Sequence, residues 1–277
     1  MPEKRSKIHD VGALTALIEM GNRVGYVYGS EDISMLFYSL IRRERPKNIV
    51  EFGSGLGVTA LWMAQALKEN GSGRVWTIDD GSDWQDLTKL RRVISPLLEV
   101  SPFDCLDPAG LDYTGYMENI IEVLGLGGQL TFMNERVDMK KEDFVEEKKY
   151  PFMDDPIDFV FLDINRTPNE IINSLYFLLP YMAETASVFI DSASTSLASY
   201  LFLERLVDQL NRSKIPRRFL KGKSEERRRL LIDLVSQRQF TLIHLIERME
   251  REQNSTAWLK IEPNDFVPHP QTMMKWV

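Results

Sequence analysis

The strongest constraint on the fold is a short segment that contains Gly53, Gly55 and Gly57. An apolar run of β-forming residues, 48–52, ends directly before these glycines, and an apolar helical pattern begins at Val58. Glycine permits positive φ and lets the backbone approach a ligand closely, while the first turn of a helix offers unpaired N–H groups. This strand, glycine loop and helix therefore predict a ligand site at the end of a buried strand.

An acidic pair follows the next predicted strand. Residues 74–78 form a second β run, and Asp79 and Asp80 follow it directly. A carboxylate about 20 residues after a glycine loop is placed to accept hydrogen bonds from ribose hydroxyls. We take Asp79 as this residue and Asp80 as the alternative, because strand ends shift by a residue or two. The alternative is that the three glycines only form a tight turn between the strand and the helix and bind no ligand.

The glycine spacing separates two kinds of cofactor site. The dinucleotide fingerprint is G-x-G-x-x-G/A, and Val58 stands where its third glycine would fall. A Walker loop would end in Gly-Lys-Ser/Thr, which is missing here. The loop therefore favours a nucleoside cofactor other than a dinucleotide.

The alternation of strands and helices predicts an α/β fold, a doubly wound and mostly parallel sheet with helices on both faces. We expect residues 1–45 to form an N-terminal helical segment that packs on the core, and residues 46–277 to form the main domain. The last two β runs predict an antiparallel terminal hairpin. The strands predicted after the acidic pair are 129–133, 157–163, 187–191, 240–246 and 256–261.

Composition narrows the function classes. The net charge of −7 and the pI near 5.2 make nucleic acid an unlikely partner. A single cysteine, Cys105, fits a reducing compartment, so we expect a cytoplasmic protein. The sequence has no stretch of about eighteen or more apolar residues, so we expect no membrane span. Only three histidines occur, which disfavours a histidine-based metal cluster. We interpret one of them, His244, as a core histidine in an apolar strand, with a catalytic base as the alternative.

The segments 49–57 and 75–79 resemble the first two motifs of class I S-adenosylmethionine-dependent methyltransferases. The nearest similarity is to small-molecule O-methyltransferases of the catechol and caffeoyl-CoA type. The resemblance implies a seven-stranded, Rossmann-like sheet, a small-molecule acceptor and a possible homodimer. It also implies these cofactor-binding residues: Glu51, Gly53, Ser54, Gly55, Gly57, Asp79, Asp80 and Asp163.

Two further acidic residues follow later strands. By the same resemblance Asp163 and Asp191 are the candidate catalytic residues, and with Ser192 they are candidate ligands of a divalent metal. Such oxygen ligands suit magnesium or calcium, which would acidify a substrate hydroxyl. Ser192 replaces the asparagine of the family pattern. The alternative is that Asp163 hydrogen-bonds the cofactor or a turn, with no metal.

Residues 81–126 are long for a connection between neighbouring strands. We interpret them as a lid-like insertion, or a dimer element, that encloses an aromatic or apolar acceptor; the alternative is that its aromatic residues, at helical spacing, belong to the core. A basic cluster near the C-terminus is interpreted as a solvated helix face, with phosphate or RNA binding as the alternative. Its members are Arg217, Arg218, Lys221, Lys223, Arg227, Arg228 and Arg229.

The sequence thus predicts methyl transfer from S-adenosylmethionine to an oxygen or nitrogen of a small molecule. Positioning alone is able to support this reaction, because the sulfonium is an activated donor. The alternative is a non-catalytic cofactor-binding or assembly protein with the same fold. A nucleotide-dependent oxidoreductase is less favoured because of Val58.

Overall fold

The computed structural model describes residues 9–25, 31–107, 110–139, 149–164, 167–194, 196–220, 224–246 and 255–264. Lys221 and Lys223 of the basic cluster lie outside these ranges. The described strands are β1 (Asn48–Phe52), β2 (Arg74–Asp79), β3 (Leu130–Asn134), β4 (Ile157–Leu162), β5 (Met182–Asp191), β6 (Arg238–Ile246) and β7 (Ser255–Pro263). The described α-helices are α1 (Val11–Met20), α2 (Glu31–Glu44), α3 (Val58–Asn70), α4 (Leu87–Ile94), α5 (Tyr113–Val123), α6 (Pro168–Leu178), α7 (Leu197–Asn211), α8 (Arg217–Leu220) and α9 (Glu225–Gln237).

The seven described strands form one sheet in the order β3-β2-β1-β4-β5-β7-β6. Strands β1 to β5 pair in parallel, and β7 pairs antiparallel with β5 and with β6. The predicted doubly wound sheet with an antiparallel terminal hairpin is therefore confirmed. The chain order reverses between β1 and β4, and ligands of open α/β sheets bind beyond the carboxyl ends of strands at such a point.

Every residue of β1 is buried, because helices cover both faces of the central strands. One face carries α2, α3 and α5, together with residues of α1. There the ring of Phe37 lies 5.1, 5.0 and 4.6 Å from those of Phe159, Phe161 and Phe189. The N-terminal helices are thus part of this core, and deletion of a fully buried phenylalanine ring costs about 3–5 kcal/mol.

The connection between β2 and β3 is more regular than its sequence indicates. Residues 81–110 lack a clear period, yet they contain helix α4 and several 3₁₀ turns. Asp86 caps α4 by accepting hydrogen bonds from the N–H groups of Thr88 and Lys89. Trp84 and Phe103 are buried in the core that the N-terminal helices share. Packing against that segment orders the connection.

The amino end of β1 is anchored by two polar side chains. The carboxylate of Asp158 accepts hydrogen bonds from the backbone N–H groups of Lys47 and Asn48, at 2.7 and 2.9 Å. The amide of Asn48 donates to the carbonyl oxygens of Phe152 and Asp155. These contacts fix β1 against β4, and therefore the direction in which the glycine loop leaves the sheet.

Within the described ranges, no helix has both the length and the apolar character that a membrane crossing needs.

Candidate active site

The glycine loop has the backbone conformation that its sequence predicts. Gly53, Gly55 and Gly57 have φ values of +92°, +52° and +82°. A Cβ atom on Gly53 would lie 2.9 Å from Cγ2 of Ile164 and 3.1 Å from the carbonyl oxygen of Asp163. Helix α3 begins after Gly57 without a side-chain cap, so its first N–H groups face the carboxyl edge of the sheet. The loop therefore needs glycine for both conformation and space.

Asp79 joins the glycine loop to the loop after β2. Its two carboxylate oxygens accept hydrogen bonds from Gly55 N at 3.0 Å and from Gly81 N at 2.8 Å. Burial raises the pKa of Asp79, and the neighbouring charge of Asp80 adds to this, while hydrogen bonds from the backbone N–H groups of Gly81, Gly55 and Ser54 act against it. A carboxylate oxygen accepts about two hydrogen bonds, so Asp79 retains capacity for ligand hydroxyls.

Asp80 faces a different set of partners. Its carboxylate accepts a hydrogen bond from Ser82 N at 2.9 Å and lies 3.9 Å from the Arg136 guanidinium. Neither partner belongs to the glycine loop. The geometry therefore favours Asp79 over Asp80 as the acidic residue associated with the loop.

Glu51 lies beneath the loop at the end of a buried hydrogen-bond chain. Its carboxyl group accepts from Thr77 Oγ1 at 2.5 Å, and the Ser54 hydroxyl lies 2.5 Å from the same Thr77 oxygen. Since Thr77 donates to Glu51, Ser54 donates to Thr77. Burial raises the pKa of Glu51 to about 8; the Thr77 hydrogen bond opposes the rise and the charge of Asp79 increases it. Glu51 is therefore mostly protonated at pH 7.

Two tyrosines of α5 hold the outer side of the loop. The hydroxyl of Tyr113 donates to the carbonyl oxygen of Gly55 at 2.8 Å, and that of Tyr116 donates to Leu56 O at 3.2 Å. Burial raises the pKa of both phenols. The Tyr113 ring leaves no room for a side chain at Gly81, where a Cβ atom would lie 2.3 Å from Cδ1 of the ring. Helical spacing marks both tyrosines as core residues, but it carries no sign of these bonds.

Asp163 follows β4 and Asp191 ends β5, and the two lie side by side because Leu162 pairs with Ile190 one residue earlier in the chain. Asp163 N donates to Phe52 O at 2.8 Å, which ties the residue to the strand that leads into the loop. The structure therefore brings both predicted catalytic residues to the carboxyl edge of the sheet.

The environment of Ser192 bears on the predicted metal. Ser192 has a φ of +56°, and its hydroxyl donates to the Asp191 carboxylate at 2.5 Å. Among the residues that the structure describes, no three His, Cys, Asp or Glu side chains are grouped so as to hold a metal ion. Within the described residues, Asp163 and Asp191 are therefore not joined by a third ligand of these types, and no step of the proposed reaction runs through a metal ion.

His244 has polar partners on both ring nitrogens. Nδ1 lies 2.5 Å from the Ser194 hydroxyl oxygen, and Nε2 lies 2.9 Å from a carboxylate oxygen of Glu204. The Tyr200 ring stacks on the imidazole, with centroids 3.9 Å apart. The apolar residues around His244 in the sequence give no sign of this cluster, since its partners lie 50 and 40 positions away.

Comparison with known proteins agrees with this geometry. A family model described as a methyltransferase domain matches residues 50–193, more than half of the chain. No curated protein sequence gives a match.

Similar solved structures include the O-methyltransferase TomG from Streptomyces achromogenes in complex with SAM, at 15% identity over 94% of this chain and 92% of that chain, TM-score 0.45. The O-methyltransferase from Bacillus cereus in complex with SAH has 13% identity over 92% and 91%, TM-score 0.46. The SAH-bound Podospora anserina methyltransferase PaMTH1 has 12% identity over 90% and 88%, TM-score 0.46. With the family match and the strand order together, the chain belongs to the methyltransferase-domain family and is a class I S-adenosylmethionine-dependent methyltransferase.

Proposed function

We propose that the protein transfers a methyl group from S-adenosylmethionine to a hydroxyl oxygen of a small molecule. The observation that carries the proposal is the position of Asp79, which joins Gly55 to Gly81 at the carboxyl edge of the sheet. This places a carboxylate with remaining acceptor capacity beside a glycine loop and an uncapped helix N-terminus. The SAM and SAH of the similar structures support the choice of donor.

The residues of the loop have separate roles in this proposal. Asp79 accepts hydrogen bonds from the ribose hydroxyls, and the backbone of Gly53 to Gly57 allows the cofactor to approach closely. Glu51 orders the loop from below through Thr77. Bound S-adenosylmethionine supplies an activated methyl group, so the protein has chiefly to hold the acceptor oxygen in line with it.

The acceptor lies, in this proposal, beyond the ends of β4 and β5. Asp163 and Asp191 form the polar wall there, and Asp163 is tied to the glycine loop through Phe52. Residues 81–126, which include α5, would border the acceptor on one side, as an acceptor lid. A cytoplasmic location and a homodimer stay predictions from the sequence.

Calorimetry tests the cofactor site directly. We expect both S-adenosylmethionine and S-adenosylhomocysteine to bind the wild-type chain, and Asp79→Ala to reduce the affinity by at least tenfold. Asp80→Ala is the matched control, because the Asp80 carboxylate contacts Ser82 N and the Arg136 guanidinium rather than the glycine loop; it should bind within about threefold of wild type. If neither cofactor binds the wild-type chain, the proposal is wrong.

A second experiment addresses the acceptor. Methyl transfer from labelled S-adenosylmethionine to a panel of phenols, alcohols and amines should label a hydroxyl compound. Transfer only to amines would refute the choice of oxygen. Cofactor binding without transfer to any compound would favour a non-catalytic binding protein.

A further inference from the structure

The cluster around His244 joins three polar side chains from three elements. Ser194 follows β5, His244 belongs to β6, and Glu204 lies in the second turn of α7. The imidazole lies between the other two, with Ser194 Oγ 2.5 Å from Nδ1 and Glu204 Oε1 2.9 Å from Nε2. A hydroxyl, an imidazole and a carboxylate within hydrogen-bond reach of each other form an acid–base relay.

The strand register places this cluster at the functional edge of the sheet. Because β7 runs antiparallel to both β5 and β6, those two strands run in the same direction. Ala257 of β7 pairs with Ile190 on one side and with His244 on the other. His244 is therefore level with the residue before Asp191, about 10 Å away across two strand spacings. Ser194 lies in the turn that follows Asp191, three residues along the chain from the predicted catalytic residue.

The hydrogen-bond pattern gives the relay a direction. An ionised carboxylate only accepts hydrogen bonds, so Glu204 holds the proton of His244 on Nε2. Nδ1 then carries a lone pair and accepts the hydroxyl proton of Ser194. The oxygen of Ser194 consequently presents its own lone pairs away from the ring. A proton that reaches Ser194 from outside is thereby able to pass to the imidazole.

We propose that Ser194, His244 and Glu204 remove the proton of the acceptor hydroxyl during methyl transfer, an inference that rests on the proposed function. The acceptor O–H gives its proton to Ser194 Oγ while Ser194 gives its own proton to His244 Nδ1. The acceptor oxygen forms the new bond to the methyl carbon as the carbon–sulfur bond breaks, and that electron pair stays on the sulfur. Glu204 balances the imidazolium charge, and the proton then leaves to water.

A second histidine offers an internal comparison. His9 also contacts a hydroxyl and a carboxylate, but both contacts are on the same nitrogen, at 2.7 Å to Tyr38 and 3.6 Å to Glu69. Glu69 is at the end of α3, and α3 begins at the glycine loop, so His9 lies toward the opposite edge of the sheet. His9 therefore lacks the through-ring arrangement and the location, which makes His9→Gln a matched control.

The test uses 4-nitrocatechol, a phenol whose deprotonated form is detected by its absorbance, added to the full chain with saturating S-adenosylhomocysteine. The nitro group lowers the pKa of this phenol towards that of imidazole, so a proton shared between the two groups responds measurably to the imidazole. We expect binding to increase the phenolate fraction in the wild type. Ser194→Ala and His244→Gln should reduce that increase at least tenfold, whereas Ser194→Thr, which keeps a hydroxyl, and His9→Gln should stay within twofold.

Calorimetry with S-adenosylhomocysteine accompanies each variant. If S-adenosylhomocysteine does not bind the wild-type protein, the proposed function itself is wrong. Intact cofactor binding with no phenolate increase in the wild type, or with an equal increase in His244→Gln, would overturn the relay alone. Glu204→Gln keeps a hydrogen-bond acceptor for Nε2 but removes the charge. It should reduce the phenolate increase even if His244→Gln fails to fold, and an unchanged increase would also refute the relay.

Discussion

The buried acid Glu51 predicts how the free energy of unfolding of this protein depends on pH. Its carboxyl group is fully buried, and its pKa rises from the ordinary value of 4.5 to about 8. When the pKa of a carboxyl group is higher in the folded state than in the unfolded state, the group favours folding in its protonated form and opposes folding once it is ionised. The contribution is complete below about pH 4.5, decreases as the pH rises, and is lost above about pH 8. We therefore expect Glu51→Gln to stabilise the chain progressively as the pH rises.

The magnitude follows from the pKa shift. Each pKa unit corresponds to about 1.4 kcal/mol, so complete ionisation of Glu51 costs about 5 kcal/mol, and the cost at pH 7 is about 3 kcal/mol. Glutamine stays neutral and keeps an oxygen that accepts the Thr77 hydrogen bond. The free energy of unfolding of Glu51→Gln should thus be close to wild type at pH 5, and higher by about 3 kcal/mol at pH 7.

Urea denaturation of both proteins at pH 5, 7 and 9 measures this difference. Glu69→Gln is the control of opposite sign. Burial acts to raise the pKa of Glu69, but the hydrogen bonds from Tyr38 and from Asp10 N outweigh it, and the pKa is lowered. Glu69 thus stabilises the fold above its ordinary pKa, and the benefit is lost as the pH falls. A Glu51→Gln difference that does not change with pH would refute the reasoning.

Three further substitutions test other contacts. Tyr113→Phe removes the hydrogen bond to Gly55 O and should lower the free energy of unfolding by about 1–3 kcal/mol, measured in urea; no change would contradict the bond. Gly81→Ala places a methyl group against the Tyr113 ring at a φ of +64°, so we expect a loss of about 2–5 kcal/mol in the same assay. Asp158→Asn weakens two hydrogen bonds to the start of β1 and should cost about 1.5–3 kcal/mol; a stability equal to wild type would refute that anchor.

The parts of the fold that could be predicted are those determined by the order of apolar, polar and glycine residues within a short stretch of sequence. The strand before Gly53, the helix from Val58 and the acidic residue at the end of β2 follow from alternation of apolar runs and glycines, and all three are present. The terminal hairpin followed from two β runs separated by polar residues. Each of these features lies within a short stretch of sequence.

The features that could not be predicted join distant segments. Tyr113 and Gly55 are 58 positions apart, and no periodicity links them. Helix α4 lies in a stretch of sequence without a clear helical period. Packing against the N-terminal helices stabilises it, so its sequence alone does not predict it. His244 looked like a core residue because its sequence neighbours are apolar, whereas its hydrogen-bond partners come from other elements. Tertiary contacts of this kind carry no local signal.

Burial of Glu51 lowers the stability of the fold at neutral pH, and cofactor binding is a function that would offset this loss. S-adenosylmethionine carries a sulfonium and an α-ammonium group, and a cation near Glu51 would favour the ionised form of the acid. Glu51 would then lose its proton when the cofactor binds, and the cation would offset part of the cost of that ionisation. We expect Glu51→Gln, although more stable, to bind S-adenosylmethionine more weakly, with the difference in affinity increasing from pH 6 to pH 9, because the sulfonium keeps its charge over that range. Calorimetry in two buffers of different ionisation enthalpy would detect the proton. Equal affinity of wild type and variant across that range would separate Glu51 from cofactor binding and leave it a purely structural acid.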